Sequence, residues 1–118
     1  MTMHAEQNER AILAQRALDA AATRDLPDSI KKAAAALKSV RHRFDGFVDR
    51  ERERLKAAFP ANLRETELRN DEGKVEVAAH MALLAYESER TDEKLNAAQH
   101  AILACVQHIE KTTGGALK

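Results

Sequence analysis

The chain has 118 residues, 19 Lys+Arg balanced by 19 Asp+Glu, 44% hydrophobic residues and only 3% aromatics. That is the length of one small domain, residues 1–118, with enough apolar material for a core, which excludes a disordered tail. One cysteine excludes an intrachain disulfide framework and a Cys-rich zinc site. The few aromatics (Phe44, Phe47, Phe59 and Tyr86) argue against a base-stacking platform or an aromatic-lined pocket.

Helix is the only periodicity present. Ala, Leu, Glu, Lys and Arg dominate, and no stretch alternates in the way of a strand. The pattern predicts an all-α, up-down bundle of four main helices. The first covers Ala5 to Arg24, with Leu13, Ala14, Ala17, Leu18 and Ala21 on one half of its wheel, and stops before Pro27. Pro27 and Asp28 suit the first turn of a second, long helix.

That second helix is expected from Pro27 to Phe59. Ile30, Ala33, Leu37, Val40, Phe44, Phe47, Val48, Leu55 and Ala58 share one sector. Unbroken it would be about 50 Å long, against a diameter of roughly 35 Å for a compact chain of this size. The molecule should therefore be elongated, broken at Asp45-Gly46, or covered by a partner. A helical Gly costs only about 1 kcal/mol relative to Ala, which favours continuity.

Phe59-Pro60 ends this helix, and Asn62 with Glu65 reads as a capping box for a short helix to Arg69. Asn70-Asp71-Glu72-Gly73 reads as a turn. A further helix is expected from Lys74 to Arg90, apolar almost all round and hence buried on most sides, with Glu76, His80 and Glu87 as its polar strip. Thr91 or Asp92 caps the last helix, Glu93 to Thr113. Its seam is Leu95, Ala98, Ile102, Cys105 and Ile109, and Gly114-Gly115 stops it.

Charge is uneven although it sums to zero. Residues 27–59 carry nine Lys/Arg and five Asp/Glu, a net +4, and residues 60–93 carry four and nine, a net −5. Two basic edges flank the apolar sector of the long helix: Lys38, Arg41, Arg52 and Lys56 on one side, Lys32, Arg43, Arg50 and Arg54 on the other. Such rows can track a phosphate backbone, or pair with the acidic segment in cis or across a dimer. Glu51 falls inside the apolar sector as a candidate buried polar residue, and burying it requires a partner.

No two of the five histidines stand at the i, i+3 or i, i+4 spacing of a helical metal pair. Glu76, His80 and Glu87 form a sparse metal-capable strip. Cys105 on an apolar seam reads as a core residue. There is no Gly-rich phosphate loop and no recognisable nucleophile context. No run approaches the about 20 apolar residues of a membrane span, and the N-terminus lacks the apolar region of a signal peptide.

These features lead to a cytoplasmic, non-enzymatic helical interaction module, such as an adaptor, inhibitor or small subunit. It is expected to bind a protein partner or a second copy of itself, with no cofactor. Candidate interaction residues are Lys38, Arg41, Arg52, Lys56, Arg43, Arg50 and Arg54. The alternatives are a phosphate-backbone-binding subunit of a nucleoprotein complex and a metal-binding bundle.

Overall fold

Strong helix formers run along the whole chain, and the fold uses them with few interruptions. The computed structural model describes the backbone of residues 2–55 and 61–114 and the side chains of 9–55 and 65–114. It contains four helices: α1 (Thr2–Ala21), α2 (Asp28–Arg54), α3 (Ala61–Ser88) and α4 (Asp92–Thr112). No strand occurs among the described residues.

The helices run up, down, up and down. α1 and α4 each pack on both α2 and α3, α2 and α3 also touch across the short diagonal, and α1 and α4 do not meet among the described residues. The core is one apolar cluster. It includes Leu18 and Ala21 of α1, Ile30, Leu37, Phe44 and Val48 of α2, Leu68, Ala79 and Leu83 of α3, and Ala98, Ile102, Cys105 and Ile109 of α4. The molecule is elongated, 51 × 37 × 20 Å with a radius of gyration of 15.1 Å.

α2 passes unbroken through Gly46. Its 27 residues span about 40 Å, which the long axis of the molecule accommodates without a partner. It ends at Arg54, with Leu55 as its C-cap, earlier than the expected Phe59, and Lys56, Ala58 and Phe59 lie outside the described residues. Pro27 occupies the N-cap position with Asp28 in the first turn. Thr91 caps α4, its hydroxyl accepting the Lys94 amide at 3.2 Å, and Gly114 follows with φ of 60°, the left-handed conformation that stops a helix.

The expected short helix, turn and buried helix between Asn62 and Arg90 are instead one helix, α3. Asn70–Gly73 is helical. Gly73 is buried facing α1, where a Cβ would lie 3.1 Å from the Ala11 Cβ. The glycine permits close approach of two helices rather than a reversal of the chain. Glu65 closes no capping box: Asn62 already lies inside α3, and the Glu65 carboxylate accepts hydrogen bonds from Arg52 of α2. α3 is also not buried on most sides, since Met81 is 60% exposed and Leu84 is exposed too.

Candidate interaction surface

Helix α3 buries two glutamates among the apolar residues of its core side and leaves two large apolar side chains, Met81 and Leu84, exposed on the other. Along its core side, Leu68, Glu72, Glu76, Ala79, Leu83 and Tyr86 are buried in steps of four or three, the spacing of a helix seam. Glu72 is 2% exposed and Glu76 0%. Two carboxylates on successive turns of a seam need a cation, and α2 supplies Arg41 from its own seam of Leu37, Arg41, Phe44 and Val48.

The Arg41 guanidinium is the hub of the cluster. Its Nε donates to Glu76 Oε1 and Oε2 at 3.2 and 3.0 Å, and one terminal nitrogen donates to Glu76 Oε1 at 2.5 Å. The other donates to Asp19 of α1 at 2.5 Å. Glu72 Oε1 lies 3.9 Å from Arg41 Nε and has no hydrogen-bond partner, while Glu72 Oε2 accepts from Gln15 of α1 at 3.2 Å. Three helices thus meet at one polar point, with three carboxylates around one cation.

Burial works against the Arg41 cation, but Glu76 and Asp19 outweigh it and hold its pKa above the ordinary value. Burial raises the Glu76 carboxyl above its usual range; Arg41 pulls the other way without cancelling this, and the Asp19 charge adds to the rise. The neighbouring Cys105 thiol donates to the Val75 carbonyl at 3.2 Å. Burial first, and then the Glu76 charge, push its pKa up to about 12. A thiol in that state is a small core residue and not a nucleophile.

The opposite side of α3 presents Val77, Met81 and Leu84 at i, i+4 and i+7, so they form one strip. α1 runs parallel beside it: Ala11 meets Gly73 at one end and Arg24 pairs with Glu87 at the other. A slot of about 210 Å³ opens between the two helices, lined by Arg10, Ala11, Arg69, Asn70, Gly73, Lys74 and Val77. Leu13, 59% exposed, and the half-buried Ala17 continue the strip that Arg10 begins on α1, just as Met81 and Leu84 continue the one that holds Val77. The result is an apolar trough with the slot at one end and the Arg24–Glu87 ion pair at the other.

The sequence-derived candidates separate into four groups. Arg41 is buried in the ion cluster. Arg52 is bound by Glu65 and Arg54 by Glu51. Lys38, Arg43 and Arg50 are exposed, with no ion pair among the described residues. Lys56 lies outside the described residues. Glu51 is half-buried, and its partner is Arg54 one turn along the same helix at 2.7 Å, not a neighbouring helix. The basic and acidic segments pair within the chain at Arg41–Glu76 and Arg52–Glu65, and in the reverse sense at Asp45–Arg69.

The Glu76, His80 and Glu87 strip is not a shared polar face: Glu76 turns to Arg41 and Glu87 to Arg24. Among the described residues no group of three or more His, Cys, Asp or Glu side chains is placed to hold a metal ion. No helix among them is long and apolar enough to cross a membrane.

Glu72, Met81, Leu84, Leu13 and the Gly73 slot were not singled out by sequence reasoning as functional. The available signal was Arg41 at i+4 from Leu37 and i−3 from Phe44, a cation within a seam that demands an acid from another helix. No protein-family model matches this chain, and no curated protein and no solved structure matches it either.

Proposed function

We propose that this chain is a non-enzymatic helical interaction module that works by presenting the outer face of α1 and α3 to another protein. The observation that carries this reading is the strip of Met81 and Leu84, exposed on a helix whose buried side holds two glutamates. Exposed apolar side chains scattered singly need no explanation, whereas a contiguous strip on a small protein marks a contact surface. The fold itself supplies the rigidity such a surface needs, because the Arg41 cluster ties α1, α2 and α3 together.

The test is site-specific photo-crosslinking in the native host. A photoreactive residue at Met81 or Leu84 is expected to give one discrete adduct, mapped by mass spectrometry to a single partner segment. The same residue at the exposed Ala36 of α2 or Ala97 of α4 should give none. Equal labelling at all four positions, or none at Met81 and Leu84, would remove the reading.

A second reading, phosphate-backbone binding, has one observation in its favour. The groove between α1 and α2 is lined by Arg16, Lys38, His42 and Arg43, while its acids Asp19 and Asp45 are engaged by Arg41 and Arg69. Three phosphate contacts from Arg16, Lys38 and Arg43 would give a slope of log K against log salt near −2 to −3 on duplex DNA, about −0.9 for each contact. A gel-shift titration at low and physiological salt measures it, and a flat response removes this second reading.

A further inference from the structure

The slot and the trough have the dimensions and charge of a receptor for one helix. Val77 to Leu84 rises about 10 Å, and packed helices sit about 8–10 Å apart. The floor between the two strips is about 10 Å long and one inter-helix spacing of about 8–10 Å wide, an area far below the about 800 Å² per partner of a stable protein pair. A second copy of the whole bundle would therefore gain too little here, whereas two to three turns of a single helix would be matched in length and width.

The slot beside Gly73 is about 210 Å³ and is floored by Ala11, Gly73 and Val77. An apolar cavity of about 150 Å³ suffices to take benzene, so the slot accommodates an aromatic ring. Its rim carries three cations and no acid. Arg69 is held by Asp45 and lies over the Phe44 ring, but Arg10 and Lys74 are exposed and have no ion pair among the described residues. The uncompensated charge at this end of the trough is positive.

We propose that the α1/α3 trough receives one amphipathic helix of another protein, anchored by an aromatic side chain in the slot beside Gly73 and flanked by acidic residues that meet Arg10 and Lys74. This rests on the interaction-module reading and specifies its partner. The ring supplies the fixed anchor typical of an interface centre. The slot's cations add attraction over the ring face and select acidic over basic flanks.

The probe is a labelled, stapled helical peptide of about four turns, with one Trp, Leu at i+4 and i+7 from it, and Glu on both flanks. Its binding to the intact protein is followed by fluorescence anisotropy. The expected result is saturable binding at least about tenfold tighter than that of the same peptide with Lys flanks, or with Trp replaced by Ala. Met81→Glu, which spoils the strip, and Val77→Phe, which fills the slot, should each weaken binding about tenfold or more. Arg10→Glu with Lys74→Glu should reverse the flank preference, and Ala36→Glu on the exposed side of α2 should change little.

Circular dichroism and thermal melting of each variant separate loss of binding from loss of fold; the charge reversal at exposed Arg10 and Lys74 keeps the test open if Val77→Phe fails to fold. Peptide binding that ignores the Trp or the sign of the flanks would overturn the proposal, as would absence of saturable binding. A stable dimer in light scattering, abolished by Met81→Glu, would assign the trough to a second copy and overturn it too. The photo-crosslinks at Met81 and Leu84 do not use this peptide, so a wrong partner chemistry and a wrong module reading give different results.

Discussion

The two sides of α3 each carry an exception to the usual arrangement. The inner side buries Glu72 and Glu76, and the outer side leaves Met81 and Leu84 in water. An amphipathic helix ordinarily buries only apolar side chains, as α3 does at Leu68, Ala79, Leu83 and Tyr86, and leaves charge in water. The inner side is tolerable because Arg41 reaches it from α2, with Asp19 and Gln15 completing the contacts from α1. The outer side has no such compensation among the described residues. The difference teaches that the inner face is solved by intramolecular chemistry, whereas the outer face is left for chemistry between molecules.

Breaking the inner face should have the largest effect. Arg41→Ala leaves three carboxylates around an empty centre, and a buried ion pair broken on one side loses about 3–5 kcal/mol. Urea denaturation measures it. Glu76→Ala should cost less than Arg41→Ala, because Asp19 still holds the guanidinium at 2.5 Å and Glu72 lies close by.

Next in size is the α1/α3 contact. Gly73→Val places a branched side chain where a Cβ already stands 3.1 Å from Ala11, and overpacking of this kind costs about 1–3 kcal/mol. The thermal midpoint reads it.

The inner face should also show a pH signature. The folded-state pKa of Glu76 is raised, so the folded state binds this proton more tightly than the unfolded chain does. Its contribution is fully present below the ordinary carboxylate pKa near 4.5 and is lost as pH rises through the folded value. The stability of the native chain relative to Glu76→Gln should therefore increase as pH falls from neutrality toward about 5. A flat difference between the two titration curves would show that Glu76 is not buried as described.

The smallest effect sharpens the outer face. Met81→Lys should change stability by no more than about 0.5 kcal/mol, as surface substitutions do. Leu83→Ala, two residues on and fully buried, should cost about 2–5 kcal/mol. Comparable losses at the two positions would mean that α3 is rotated.

The all-helical fold, the Pro27 boundary, the Thr91 cap and the α4 seam of Ala98, Ile102, Cys105 and Ile109 were legible in the sequence. Each is set by residues within a few turns of one another. The helical stretches of α3 on either side of Asn70–Gly73 were legible too, but their continuity and the faces they bury were not, because the reasons for those residues lie far along the chain. Asn70–Gly73 has the composition of a turn, yet Gly73 answers to Ala11 and Glu72 to Gln15. Glu76 reads as a solvated polar residue until Arg41 is seen opposite. The trough was unreadable for the same reason: Leu13 and Ala17 join Met81 and Leu84 only once α1 lies parallel to α3. Complementarity of the +4 and −5 segments was readable, but its individual pairs were not.

The burial of Glu72 and Glu76 around Arg41 is tested most directly by comparing Arg41→Met with the triple variant Arg41→Met, Glu72→Met, Glu76→Met in urea unfolding. If the charges lie inside, the single substitution loses about 3–5 kcal/mol, and the triple recovers most or all of it, as replacement of buried ion partners by apolar side chains does, with Asp19, the part-exposed member of the cluster, left to water. If Glu72 and Glu76 instead faced water, the single substitution would cost under about 1 kcal/mol, and the triple would restore nothing.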